Sequence, residues 1–487
     1  MSPSAASALV GPDDADAEIL DFFDTFLDEN HLEESFPDRK VKISSKTNKT
    51  KKAISIRRQN YRVGFSESKA TKRKGSVTTV EADAYDCPTG FQGNQVRFTP
   101  VQVEAIRSGL STGLTMIVGP PGTGKTDVAV QIIASLYHSF PTQRTVVIAH
   151  SNAALNDLFE KVAARGDVRE RYLLRLGAGE KDLETGSDHS FTQSGRVAHS
   201  LARRAELLER VQVLSESIGV SSGAERGADG SPSYTCETAA YFQQHYVQKA
   251  IRVFLRKMEQ DDKSDNIAVS FPFRSYFEKA GETDLDALTL SRAEALFRKL
   301  DSVFDELAEY RPLELLRSQR QRTDYFLMKQ ARIVAMTCTH AAIARSRLVE
   351  LGFQYDNLVF EEAAQMMEIE TFVPMLLQKG DADSSTSRLK RICLIGDHNQ
   401  LPPVVKNQMF ARYSNLDQSM FTRLIRLGVP YIQLDRQGRA RPEIAALYRY
   451  GHIPLASNMI VAVLIKKIMW LLFVFCPFWV RPYCFTV

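Results

Sequence analysis

Cysteine is scarce and scattered: the six in 487 residues (Cys87, Cys236, Cys338, Cys393, Cys476 and Cys484) form no CxxC pair. That spacing argues against a disulfide scaffold and against a zinc site, and for a reducing, intracellular compartment. Tryptophan is scarcer, with Trp470 and Trp479 both close to the C-terminus. A secretory leader is missing, because Met1-Ser2-Pro3-Ser4 leads to Asp13, Asp14 and Asp16 and not to a basic segment with an apolar core. No apolar run reaches the ~20 residues of a membrane span without a break: Met459–Val480 is cut by Lys466 and Lys467, leaving Ile468–Val480 with Pro477 near its end. This stretch reads as a membrane-inserting tail or as sequence foreign to the fold, such as a translated intron or a shifted frame. A one-sided charge is also missing. Lys and Arg total 62 against 58 Asp and Glu, a net charge of +4, so any nucleic-acid surface must be local.

The even balance hides two opposed blocks. Residues 1–38 carry eleven acids and no Lys or Arg, whereas 39–75 carry fourteen Lys or Arg against one acid, Glu67. An acidic block followed by a basic one reads as a mostly disordered arm over residues 1–95. Within it, Ile19–Leu27 has the spacing of one short amphipathic helix. The basic part is a solvated linker, an RNA attachment segment, or at Lys72-Arg73-Lys74 a nuclear import signal.

The chemistry begins at Leu114. A β-type run, residues 114–118, leads into Gly119-Pro120-Pro121-Gly122-Thr123-Gly124-Lys125-Thr126 and then into a helical pattern with Val128, Ala129, Ile132, Ile133 and Leu136 on one face. This is a complete phosphate-binding loop in strand-loop-helix context. Its backbone N–H groups converge on phosphate oxygens, Lys125 reaches the β/γ-phosphates, and Thr126 can ligate Mg²⁺. Such a cradle needs an acidic partner on a neighbouring strand. Asp356–Phe360 is an apolar strand ending in Glu361-Glu362-Ala363-Ala364-Gln365. Glu361 is expected to hold the Mg²⁺ shell, Glu362 to act as general base for the attacking water, and Gln365 to lie near the γ-phosphate. A third strand, Arg391–Ile395, leads to Gly396-Asp397-His398-Asn399-Gln400. Gln400 is the expected γ-phosphate sensor, and His398 reads as structural more readily than as a metal ligand. All three strands end where α/β sheets bind their ligands.

The order of Phe98-Thr99-Pro100-x-Gln102, GPPGTGKT, Ala149-His150-Ser151-Asn152, Thr337-Cys338-Thr339-His340, EEAAQ, GDHNQLPP and Gln437-Gly438-Arg439-Ala440-Arg441-Pro442 resembles superfamily 1 RNA/DNA helicases. TCTHAA, FEEAAQ followed by Glu368–Phe372, and DHNQLPPVVKN resemble the Aquarius family of intron-binding spliceosomal helicases within it. The similarity covers about residues 95–450. It implies an α/β, RecA-like P-loop NTPase fold with a parallel sheet, a nuclear ATPase acting in pre-mRNA splicing, ATP and Mg²⁺ as cofactors, and intron RNA and spliceosomal proteins as partners. DNA and membrane are less favoured partners. By the same resemblance Gln102 reads adenine, Ser151, Asn152, Thr337, Thr339 and His340 touch the nucleic-acid backbone, and Arg439 reaches the γ-phosphate. Small hydroxyl and amide groups suit backbone contact, which carries no base information. Two positions depart from the common pattern: Gly438 replaces an aromatic, and Glu361 replaces the usual Asp.

The resulting division is an arm at 1–95, a RecA-like domain at 96–176 and 331–430, a helical insertion at 177–330, the start of a second motor domain at 431–450, and the tail at 451–487. Leu201–Leu214, Tyr241–Met258 and Ala293–Leu307 give the insertion its helical spacing, and Val220–Ser233 is a Gly/Ser-rich turn. Arg203, Arg204, Arg210, Arg252 and Arg256 there are RNA contacts or simply solvated. No second motif set follows Arg439. The expectation is an incomplete motor that binds ATP and unwinds poorly, or alternatively a non-catalytic RNA- or spliceosome-binding scaffold.

Overall fold

The computed structural model describes residues 19–45, 59–66, 79–86, 93–183, 190–220, 234–260, 270–282, 285, 288–379 and 388–441. Lys72-Arg73-Lys74, the Gly/Ser-rich turn beyond Val220, and the tail at 451–487 lie outside the described residues.

Hydrophobic runs too short for helices but apolar on both faces build the central sheet. Its strands are β5 (Gly113–Val118), β6 (Thr145–Ala149), β7 (Leu173–Leu176), β8 (Ile333–Thr337), β9 (Asn357–Glu361), β10 (Arg391–Gly396) and β11 (Ile432–Gln433). They lie in the order β11-β5-β10-β9-β6-β8-β7, and every pair is parallel. A parallel sheet must be covered on both sides, and alternate residues divide accordingly. Ile117, Val147, Val359 and Ile395 enter one core, while Val118, Ile148, Phe360 and Leu394 enter the other. The first side is covered by α2 (Pro100–Leu110), α3 (Lys125–Ser139) and α4 (Asn152–Ala164). This is the RecA-like α/β fold that the phosphate loop and strand ends led us to expect.

The short strand β11 completes one edge. Ile432 pairs with Ile117 and Gln433 with Val118, and the Leu434 N–H donates to the Val118 carbonyl at 2.8 Å. Residues 432–434 therefore close the edge of this sheet.

The expectation for the arm is corrected where its residues are described. β1 (Ile19–Phe22), β2 (Lys40–Ser45), β3 (Gln59–Ser66) and β4 (Thr79–Asp86) form a four-stranded sheet in the order β1-β3-β4-β2, with α1 at Glu29–Glu34. Strong two-residue alternation drives it: Tyr61, Val63, Val80 and Ala82 are buried, while Arg62 and Glu81 are exposed. The expected helix at Ile19–Leu27 is instead β1 and a turn, with Asp24 at φ 47°. Leu20 and Phe22 fit either period, and pairing with Val63 and Tyr61 selects the strand. The buried face joins the same apolar cluster as Val103, Ile106 and Ile132 of α2 and α3. Buried polar contacts fix the junction: Gln131 Nε2 donates to the Phe23 carbonyl at 2.7 Å, and His31 Nε2 bonds the Phe98 carbonyl at 2.8 Å.

Between β7 and β8 lies a helical unit, comprising α5 (Gln193–Ser217), α6 (Cys236–Phe242), α7 (Gln248–Gln260), α8 (Arg274–Lys279), α9 (Leu290–Leu315) and α10 (Gln319–Tyr325). It has its own core, centred on Leu207, Phe242, Phe254, Phe297 and Leu300. One polar tie to the motor is Arg171, buried and paired with Glu306 at 3.2 Å and Glu309 at 3.1 Å. Three of the arginines considered for RNA are paired with glutamates of the same unit: Arg203 with Glu306, Arg204 with Glu314 and Arg210 with Glu206. Among the described residues no helix is long and apolar enough to cross a membrane.

Candidate nucleotide and nucleic-acid sites

Parallel register carries five strand ends to one edge of the sheet. Gly396 of β10 lies beside Val118 of β5, and Ala149 of β6 lies between Glu361 of β9 and Thr337 of β8. The phosphate loop springs from Val118 and is anchored by the Gly119 N–H donating to the Gly396 carbonyl at 2.9 Å. Gly124 caps α3 at φ 78°, and a Cβ there would meet Gln102 Nε2 at 2.7 Å, so only glycine satisfies both the left-handed backbone and the close approach. Lys125 Nζ donates to the Gly119 carbonyl at 2.8 Å. Thr123 Oγ1 donates to the Pro120 carbonyl at 2.8 Å, and Gln102 Nε2 donates to the Thr123 carbonyl at 2.9 Å. Gln102 also accepts the Thr99 N–H at 2.8 Å, so it joins the cap of α2 to the loop.

The acidic partner stands where the loop requires it. Thr126 Oγ1 donates to Glu361 Oε1 at 2.9 Å, while Glu361 Oε2 is buried without a partner. Burial, reinforced by the neighbouring Glu362 and opposed by the Thr126 hydrogen bond, pushes the Glu361 carboxyl up to about 7. A buried carboxyl oxygen without a partner beside a threonine hydroxyl is a donor set that fits Mg²⁺, which seeks one or two carboxylates and keeps several waters. Glu362 follows at φ 57°, a left-handed conformation that costs a non-glycine residue about 1 kcal/mol. That turn carries Glu362 past the strand end, where Gln365 Nε2 donates to its Oε2 at 3.0 Å. Gln400 Nε2 donates to Asp397 Oδ2 at 2.8 Å. Asp397 is buried and orients Gln400, a part that motif reading did not assign to it. The exposed Arg439 sits on a segment docked against the loop, where the Gly438 N–H donates to the Gly122 carbonyl at 3.1 Å.

The candidate nucleic-acid residues gather on the far half of the same edge. Ser151 caps α4 by accepting the Ala154 N–H at 3.2 Å, and Thr337 caps α11 (Cys338–Leu351) by accepting the His340 N–H at 3.2 Å. Thr339 is exposed. Asn152 is held from below by Arg175, whose Nη2 donates to its Oδ1 at 2.8 Å and whose Nε donates to Asn156 Oδ1 at 3.2 Å. Burial, and next the charge of Arg175, keeps the His340 imidazole below its ordinary value, so it presents a neutral ring. Arg175 escaped motif reading, although a charged residue inside the apolar run Leu173-Leu174-Arg175-Leu176 was the signal.

Comparison with known proteins matches the AAA domain profile over residues 97–408 and the intron-binding protein aquarius insert domain profile over residues 15–104. The chain is 45% identical over 468 residues, 90% of its length, to the RNA helicase aquarius of Mus musculus, of which it covers 30%. It is 27% identical over 71% of its length to the pre-mRNA-splicing factor cwf11 of Schizosaccharomyces pombe, covering 25% of that protein. It is 24% identical over 71% of its length to the regulator of nonsense transcripts 1 homolog of Arabidopsis thaliana, covering 19% of it. The chain thus spans less than a third of each of these three curated relatives. With its phosphate loop, its parallel sheet and an insert-domain match over the small N-terminal sheet, the chain belongs to the AAA domain family, in its Aquarius-like superfamily 1 branch.

Proposed function

We propose that the chain is the ATP-binding part of an RNA-dependent helicase motor of the Aquarius type, acting in the nucleus on intron-containing RNA within the spliceosome. The observation that carries this is the Thr126 Oγ1 to Glu361 Oε1 bond of 2.9 Å beside a buried, unpartnered Glu361 Oε2. A solvated acidic strand end would have no reason to bury that oxygen. In this reading Thr126 and Glu361 hold Mg²⁺, which when bound neutralises charge on the phosphate oxygens. Gly119, Pro120, Pro121, Gly122, Thr123 and Gly124 present the loop backbone to the phosphates, and Lys125 exchanges the Gly119 carbonyl for a β/γ-oxygen. Gln102 favours adenine. Glu362 accepts a proton from the attacking water while Gln365 steadies its carboxylate. Gln400, braced by Asp397, senses the γ-phosphate, and Arg439 stabilises its developing charge. Ser151, Asn152, Thr337, Thr339 and His340 grip the RNA backbone. In this reading the chain binds ATP at this sheet edge.

RNA-stimulated ATP hydrolysis tests the reading. Turnover that RNA raises and that Lys125→Ala abolishes supports a motor. RNA binding with no turnover and no ATP uptake supports a scaffold and overturns it.

A further inference from the structure

One group of ligand-type side chains plays no part in that chemistry. A ring nitrogen of His150, Sγ of Cys338 and a carboxylate oxygen of Glu370 all lie within 4.8 Å of one another. They come from three elements distant in sequence. His150 follows β6, Cys338 opens α11 after β8, and Glu370 stands in the first turn of α12 (Glu368–Met375). Pairing of Ala149 with Thr337 sets the first two side by side, and packing of α12 supplies the third. Cys338 is fully buried, and Nδ1 of His150 is shielded from solvent without a hydrogen-bond partner. Such an orphan is unfavourable unless something binds it. Glu370 uses one oxygen to accept the Met367 N–H at 3.0 Å and keeps the other.

We propose that His150, Cys338 and Glu370 form a binding site for a thiophilic divalent cation, with Zn²⁺ the fitting ion. A thiolate, an imidazole and a carboxylate suit zinc, and the thiolate disfavours Mg²⁺, which takes oxygen ligands. Bond lengths of about 2.0–2.3 Å place tetrahedral ligand atoms roughly 3.3–3.8 Å apart, a small contraction of the present cluster. Three protein ligands leave a fourth position for water. As the sulfur–metal bond forms, the Cys338 thiol releases its proton to solvent, and no oxidant or reductant is needed. The ion would pin the ends of β6 and β8 to α12, which follows directly on the Glu361–Gln365 segment. This site is independent of the nucleotide reading, because it shares no ligand with it.

Cobalt titration of the metal-stripped full chain, without nucleotide, tests this. One equivalent of Co²⁺ should bind with an intense near-ultraviolet thiolate-to-cobalt band and tetrahedral visible bands, and Zn²⁺ should displace it. Cys338→Ser should abolish the near-ultraviolet band, Glu370→Gln should weaken cobalt binding, and Cys236→Ser should change neither. Melting of the metal-free variants alongside metal-free wild type separates lost ligation from lost folding. Cobalt bound through oxygens at Thr126 and Glu361 would show no thiolate band. Failure to bind stoichiometrically, or a thiolate band that survives in Cys338→Ser, overturns the proposal.

Discussion

Glu361 and Glu362 are adjacent acids with different surroundings. Glu361 is buried against Thr126, whereas the left-handed turn at Glu362 brings it to Gln365. Glu362→Gln should therefore retain ATP binding and lose hydrolysis by about 100-fold or more, the usual scale for a general base; nucleotide binding and turnover measured on one preparation check it. His31 offers a separate test at this scale. Its Nδ1 accepts the Leu27 N–H at 3.1 Å and its Nε2 faces the Phe98 carbonyl, so the neutral ring with the proton on Nε2 satisfies both. Burial, only partly offset by the Phe98 carbonyl, holds this imidazole below its ordinary value. As pH falls the unfolded chain takes up the proton first. The stabilisation is therefore complete above about pH 6.5 and is lost as pH drops through the lower folded value. Denaturant melts at pH 7.5 and 5.5 should show this loss in wild type and a smaller one in His31→Gln.

Among elements, β7 and α9 carry the most consequence outside the loop. Arg175 rises from β7 beneath Asn152 and Asn156, so Arg175→Met should free Asn152 and weaken RNA binding several-fold while leaving ATP affinity unchanged. Equal losses of both affinities would point to general damage. Arg171 holds α9 through Glu306 and Glu309. Replacing it with Met leaves Glu306 to Arg203 and Tyr310, and Glu309 to the Tyr172 hydroxyl, and should cost about 1 kcal/mol, after allowance for the part-exposure of Glu309. Faster amide exchange in α9 than in β5 is the expected readout.

The elements differed in how far the sequence disclosed them. β5, β6, β8, β9 and β10 were legible because each is a short apolar run ending in polar residues of known chemistry. β1 was not, since Leu20, Phe22, Phe23 and Phe26 satisfy helical and strand spacing equally until β3 supplies a pairing partner. β11 has two residues and is defined only by its neighbour. Residue-level chemistry shows the same division. The phosphate loop is contiguous and announces itself, whereas His150, Cys338 and Glu370 are separated by long segments that only the parallel register and α12 bring together. The absence of CxxC spacing could not foresee such a grouping.

At the scale of the whole molecule, one apolar cluster runs from the small N-terminal sheet into α2 and α3, while the helical insertion keeps its own core. The N-terminal sheet should therefore unfold together with the motor, and the insertion should open more independently in hydrogen exchange. The central claim is that the turn around Lys125 receives a triphosphate facing Glu361 and Glu362. Equilibrium binding of labelled ATP to the purified chain, with and without Mg²⁺, addresses it directly. The account predicts one equivalent of Mg²⁺-dependent ATP bound to wild type and none to Lys125→Ala; wild-type protein that takes up no ATP, or a Lys125→Ala variant that binds it equally well, would contradict it.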